Sequence, residues 1–153
     1  ADALAGTGLG DVVAQARGGI VLRLQPGAPP HGRLDAIPGD GRVEFLALGE
    51  RSTPEVLADR PEVITSAGEE ALEWLRSDPT RDRFAAAASR FTEAVDLPTP
   101  RLREIIDAVE ATGGTASVAM LGETVYAFGT ALSDAGYDPA VSRVDPCGAE
   151  LRE

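Results

Sequence analysis

Gly6-Thr7-Gly8-Leu9-Gly10-Asp11 is the densest chemical signal in the sequence, with three alternate glycines closed by a carboxylate. Glycines let the backbone approach a bound group closely, and an acid at the end of the run could orient or deprotonate a hydroxyl. The spacing is not that of the dinucleotide fingerprint, and no Gly-Lys-Ser/Thr follows to make a nucleotide P-loop. Taken on residues alone, a flexible turn capped by Asp11 would look the same. Arg23 is the second candidate. It interrupts the apolar pattern Ile20-Val21-Leu22-Arg23-Leu24, where a guanidinium could grip a carboxylate through two parallel hydrogen bonds. It could equally be the exposed residue of a half-buried strand.

Few other side chains compete for a chemical role. His31 and Cys147 are the only residues of their types in 153, too few for a disulfide or for a zinc site built from Cys and His. There are 25 Asp and Glu against 14 Lys and Arg, and all 14 are Arg. A net charge of -11 disfavours nucleic acid and anionic membrane as partners. The same balance keeps a protein soluble in brine, where salt screens its self-repulsion, although a genome biased toward Arg codons would also leave lysine out. No apolar run approaches the roughly 20 residues of a membrane helix, so a soluble, cytoplasmic protein is expected. The length fits one compact domain or two small lobes.

These candidates must be held by elements that the patterning predicts. Residues 12–16 are a short apolar stretch before Gly18-Gly19, and 20–24 alternate as a strand. Pro and Gly make 25–33 a loop, and 34–37 and 43–48 read as two more strands. Beyond Glu50 the periodicity is helical. Pro61 starts a helix with Ile64, Ala67, Ala71, Leu72 and Leu75 on one face, stopped by Asp78-Pro79. Thr80 caps a second helix, and Thr99-Pro100 opens a third whose stripe is Leu102, Ile105, Ile106 and Val109. Gly113-Gly114 ends it. Residues 116–120 and 124–128 read as a hairpin around Gly122, 131–135 as a short helix and 140–144 as a last strand. The fold class is α+β, with the C-terminal helices packed on an antiparallel sheet.

Two strings carry a resemblance. Thr7-Gly8-Leu9-Gly10-Asp11-Val12-Val13-Ala14-Gln15, followed by Gly18-Gly19, Arg23 and Pro26-Gly27, resembles the archaeal pantoate kinases, a family of the GHMP small-molecule kinase superfamily. Ala116-Ser117-Val118-Ala119-Met120-Leu121-Gly122 continues the similarity, with Asp78-Pro79-Thr80, Phe84, Ser89 and Phe91 between them. The resemblance implies a GHMP-kinase-like fold, with 1–50 the end of an N-terminal substrate and catalytic lobe and 51–153 a C-terminal lobe. It implies ATP and Mg²⁺ as cofactors, pantoate as the small-molecule partner, and leaves room for a homodimer.

The same resemblance assigns roles by position. Asp11 matches the catalytic carboxylate and Arg23 the group that holds the pantoate carboxylate. Thr53 matches a substrate-contacting threonine. Asp2 stands where the family carries a longer acid, as a catalytic partner of metal or phosphate. Gly8 and Gly10, with Gly114, Ser117 and Gly122 in the place of the superfamily's third glycine-rich motif, are the nucleotide-binding positions. The superfamily's main ATP loop has no counterpart here. The chain is therefore expected to be the C-terminal part of the enzyme and inactive alone. The alternatives are a different GHMP kinase, or an α+β binding module without catalysis.

Overall fold

The computed structural model of the chain describes residues 9–25, 27, 31–50, 61–119 and 122–149. They cluster into two compact units, one formed by Ala1–Gly41 with Arg143–Glu153 and the other by Arg42–Ser142. The two units divide between Gly41 and Arg42, while the lobe boundary that the resemblance implies lies after residue 50.

The described part of the first unit begins with helix α1 (Leu9–Arg17). The sequence pattern leads instead to a glycine turn and an apolar stretch. Only Val13 is buried among the described side chains of this helix, so no repeating stripe marks it in the sequence. Strand β1 (Ile20–Gln25) then pairs antiparallel with β2 (Arg33–Ile37), with Ile20 opposite Ile37 and Arg23 opposite Leu34. The ladder shifts register between Arg23 and Gln25. Among the described residues of this unit, Val13, Ile20, Leu22 and Ile37 are the buried apolar side chains.

The second unit is built on the strands β3 (Gly41–Glu50), β4 (Ala116–Ala119), β5 (Gly122–Phe128) and β6 (Ala140–Val144), arranged in the order β4-β5-β3-β6. Among its described residues the helices are α2 (Pro61–Ser77), α3 (Arg81–Ala94), α4 (Pro100–Ala111) and α5 (Ala131–Asp134). The predicted caps are present: Thr80 Oγ1 accepts from Arg83 N at 3.2 Å, and Thr99 Oγ1 accepts from Leu102 N at 3.4 Å with Pro100 in the first turn. Such a cap is worth about 1 kcal/mol.

Antiparallel register decides which residues share a face. Ala127 lies opposite both Ala116 and Glu44, and Val125 opposite both Val118 and Leu46. This face closes on Leu102, Ile105, Ile106 and Val109 of α4 and on Leu132 of α5. Leu102, Val109 and Leu132 are wholly buried, each contributing about 2 kcal/mol through removal from water. The alternate residues Ser117, Tyr126 and Phe128 belong to the other face, where Phe128 meets Phe84 of α3 and Tyr126 edge to face at 6.2 and 6.1 Å. Helix α2 packs on α3, and Trp74 lies beneath two guanidiniums, Arg83 at 4.5 Å and Arg90 at 4.0 Å from its ring centre.

Candidate active site

Gly10 and Asp11 occupy the first turn of α1, where unpaired amide groups and the positive end of the helix dipole favour an anion. A Cβ built on Gly10 would meet nothing within 4 Å. Glycine inside a helix costs about 1 kcal/mol relative to alanine, and here neither crowding nor backbone conformation requires it. What glycine leaves at this point is open space against the backbone. Arg23 is exposed on β1 in the same unit, and among the described residues it makes no ion pair. Asp2, Gly8 and Thr53 lie outside the described residues.

The other candidates belong to the second unit. Gly113 and Gly114 terminate α4 in a Schellman motif: Gly114 N donates to Val109 O at 3.1 Å and Gly113 N to Glu110 O at 2.9 Å, with Gly113 at φ +82°. Gly114 is also a close-packing position, since a Cβ there would lie 2.8 Å from Ala131 Cβ and 2.9 Å from Val109 Cγ1. Gly122 opens β5, opposite Glu50. Strand β4 separates it from Gly114, so at about 3.3 Å per residue the two stand well over 10 Å apart. The structure does not gather them into one loop.

Ser117 is 1% exposed, in the body of β4 opposite Tyr126. Its Oγ completes no hydrogen bond. Burial pushes the Tyr126 phenol up to about 12.

A polar centre that the sequence reading missed lies at Glu44, which is wholly buried. Its Oε2 accepts from Leu132 N and Ser133 N, both at 3.0 Å, and its Oε1 accepts from Ser133 Oγ at 2.6 Å and from Arg42 Nε at 3.0 Å. Burial raises the Glu44 pKa, but the Ser133 hydroxyl and amide together with Arg42 outweigh it and hold the carboxyl below its ordinary value. Every oxygen is engaged within the fold, so Glu44 anchors α5 and has no spare lone pair aimed at a substrate. The sequence signal was available: like Arg23, Glu44 interrupts an apolar strand.

Among the described residues no group of three or more His, Cys, Asp or Glu could hold a metal ion, and no helix is long and apolar enough to cross a membrane. No family model matches the chain. A solved structure described as a phosphotransferase related to the CoA biosynthesis pathway matches over 91% of this chain and 49% of its own, with a TM-score of 0.73 and 26% identity. The class is therefore a phosphotransferase-like α+β fold, consistent with the GHMP kinases. Sequence comparison adds two relatives. The chain is 37% identical over 123 residues to the pantoate kinase of Thermococcus kodakarensis, covering 78% of this chain and 41% of that protein. It is 31% identical over 123 residues to the pantoate kinase of Methanocaldococcus jannaschii, covering 79% of this chain and 45% of that protein. The chain is similar to one part of these two pantoate kinases and spans less than half the length of either.

Proposed function

We propose that this chain is the C-terminal part of a cytoplasmic, ATP-dependent pantoate kinase, which makes 4-phosphopantoate for coenzyme A synthesis. The observation that carries this is the similarity to two pantoate kinases across 123 residues, a stretch that takes in most of the chain. The open first turn of α1 and the unpaired Arg23 support it. Phosphoryl transfer passes through a loose, charge-rich transition state, so the protein contributes mainly positioning and electrostatic stabilisation. In our reading Asp11 aligns the acceptor hydroxyl of pantoate and takes its proton, while Arg23 holds the carboxylate at the other end of the substrate. Thr53 adds a substrate contact. In this reading the backbone at Gly8 and Gly10 approaches the transferred phosphate, whereas Gly114 and Ser117 are taken up by packing and do not form a nucleotide loop with Gly122.

Mg²⁺ would enter with the nucleotide and neutralise phosphate charge, with Asp2 as its protein partner. The described residues offer it no ready-made cluster, and no step is assigned to it. The acidic, lysine-free surface fits a brine-adapted protein.

The test is ADP release on addition of pantoate, measured for the full-length protein, its Asp11→Asn variant and this chain alone. Loss of a general base costs about 10²–10⁴ in rate, so Asp11→Asn should fall by that factor while pantoate still binds. This chain alone should be inactive. Near-normal kcat in the variant would remove the catalytic role from Asp11.

A further inference from the structure

The stretch from Asp145 to Ala149 has no part in the reaction as described, yet it is tied into the carboxyl end of α1. Gly19 N donates to Asp145 O and Ala149 N donates to Gln15 O, both at 2.7 Å. Between these two bonds, Gly18 and Gly148 meet backbone to backbone. A Cβ on Gly18 would collide with the amide nitrogen of Gly148, and one on Gly148 would lie 2.8 Å from both Ala16 O and Gly18 N. The two residues have φ +70° and +73°, a region that glycine enters without strain. Asp145 also stiffens its own turn, its Oδ1 accepting from Cys147 N at 2.9 Å. Other restraint on α1 is thin, with Val13 its one buried side chain among those described.

We propose that residues 145–149 are a strap that positions α1 and, through it, the first turn that carries Asp11, with Gly18 and Gly148 as positioning residues. The catalytic consequence rests on Asp11 being the carboxylate proposed above. A nine-residue helix is a rod about 13 Å long. A displacement at its strapped end is carried to the first turn, where misplacement of a reacting group by about 1 Å can cost about a hundredfold in rate.

The experiment uses the full-length protein and two strap variants. Gly148→Ala disrupts the glycine contact, and Ala149→Pro removes the N–H that Gln15 accepts without placing bulk between the glycines. Both should speed amide hydrogen exchange at residues 13–17 while α4 and β5 keep their protection. Both should lower kcat about ten- to hundredfold, with KM for pantoate changed by less than about twofold.

In an Asp11→Asn background, Ala149→Pro should cost nothing further, because a strap acting through Asp11 has nothing left to position. A general loss of folded protein would instead multiply in both backgrounds. Unchanged exchange in α1 overturns the strap, and multiplicative losses overturn its positioning role. Failure of the functional reading shows separately, as a normal kcat in Asp11→Asn without any strap variant. Should Gly148→Ala not fold, Ala149→Pro carries the test by itself.

Discussion

The Glu44 carboxylate on β3 is bound by both the hydroxyl and the amide of Ser133, 89 positions later in the chain, at 2.6 and 3.0 Å. A buried carboxylate so far from its partner in sequence fixes α5 to the sheet at one place. Breaking such a site leaves donors buried without an acceptor, and costs more than an exposed pair would.

Glu44→Ala should therefore lower unfolding free energy by about 3 kcal/mol. The pH dependence has a definite sign. The Glu44 carboxyl is held below the ordinary 4.5, so its contribution is present above the unfolded value and is lost as pH falls through the folded one. Urea titrations at neutral and acid pH would show the two proteins far apart at pH 7 and converging in acid. A constant gap would mean that the charge of Glu44 is immaterial.

Gly114→Ala should destabilise by about 1–3 kcal/mol, because the new methyl must displace Val109 or Ala131 in a packed core. The partner contact supplies a sharper check. Ala131→Gly removes the facing Cβ at 2.8 Å, and the double variant should recover part of the loss. Thermal melts of the three proteins would decide, and independent, additive losses would disprove the contact.

Arg23→Lys keeps the charge but loses the planar fork. In the full-length enzyme it should raise KM for pantoate with little change in ATP binding, and Arg23→Ala should raise it further. Unchanged pantoate KM in both would return Arg23 to the role of a surface residue.

A brine-adapted surface predicts that the fold loosens when salt is withdrawn, as the repulsion within a chain at -11 is unscreened. Melting temperature should climb across a potassium chloride series. A flat or falling curve would leave genome composition as the origin of the missing lysines.

Local signals were legible where caps and stripes coincide. The helix that starts at Pro61, the Thr80 and Thr99 caps, the Gly113-Gly114 stop and the last strand at 140–144 all stand where the residues predict. Helix α1 was not legible, because a helix that buries little but Val13 shows no period in its sequence. The insertion of β3 between β5 and β6 depends on pairings remote in the chain, which alternation within one strand cannot specify. The site divides similarly. Asp11 and Arg23 stood out by type and neighbourhood, whereas the burial of Ser117 and the separation of Gly114 from Gly122 come from the register of β4, and Glu44 acquires its meaning only from the arrival of Ser133.

Trp74, all four phenylalanines and both tyrosines fall within residues 42–142, so the unit that carries Asp11, Arg23 and the strap contains no phenylalanine, tyrosine or tryptophan. Intrinsic fluorescence, dominated by the single indole under Arg83 and Arg90, therefore watches the α2–α3 seam and is blind to this first unit. A melt followed by emission could look two-state while α1 frays unseen, and coincidence with far-ultraviolet circular dichroism becomes a necessary check. The same blindness is an opportunity: a tryptophan introduced on the exposed face of β1 would report a region with no aromatic background of its own.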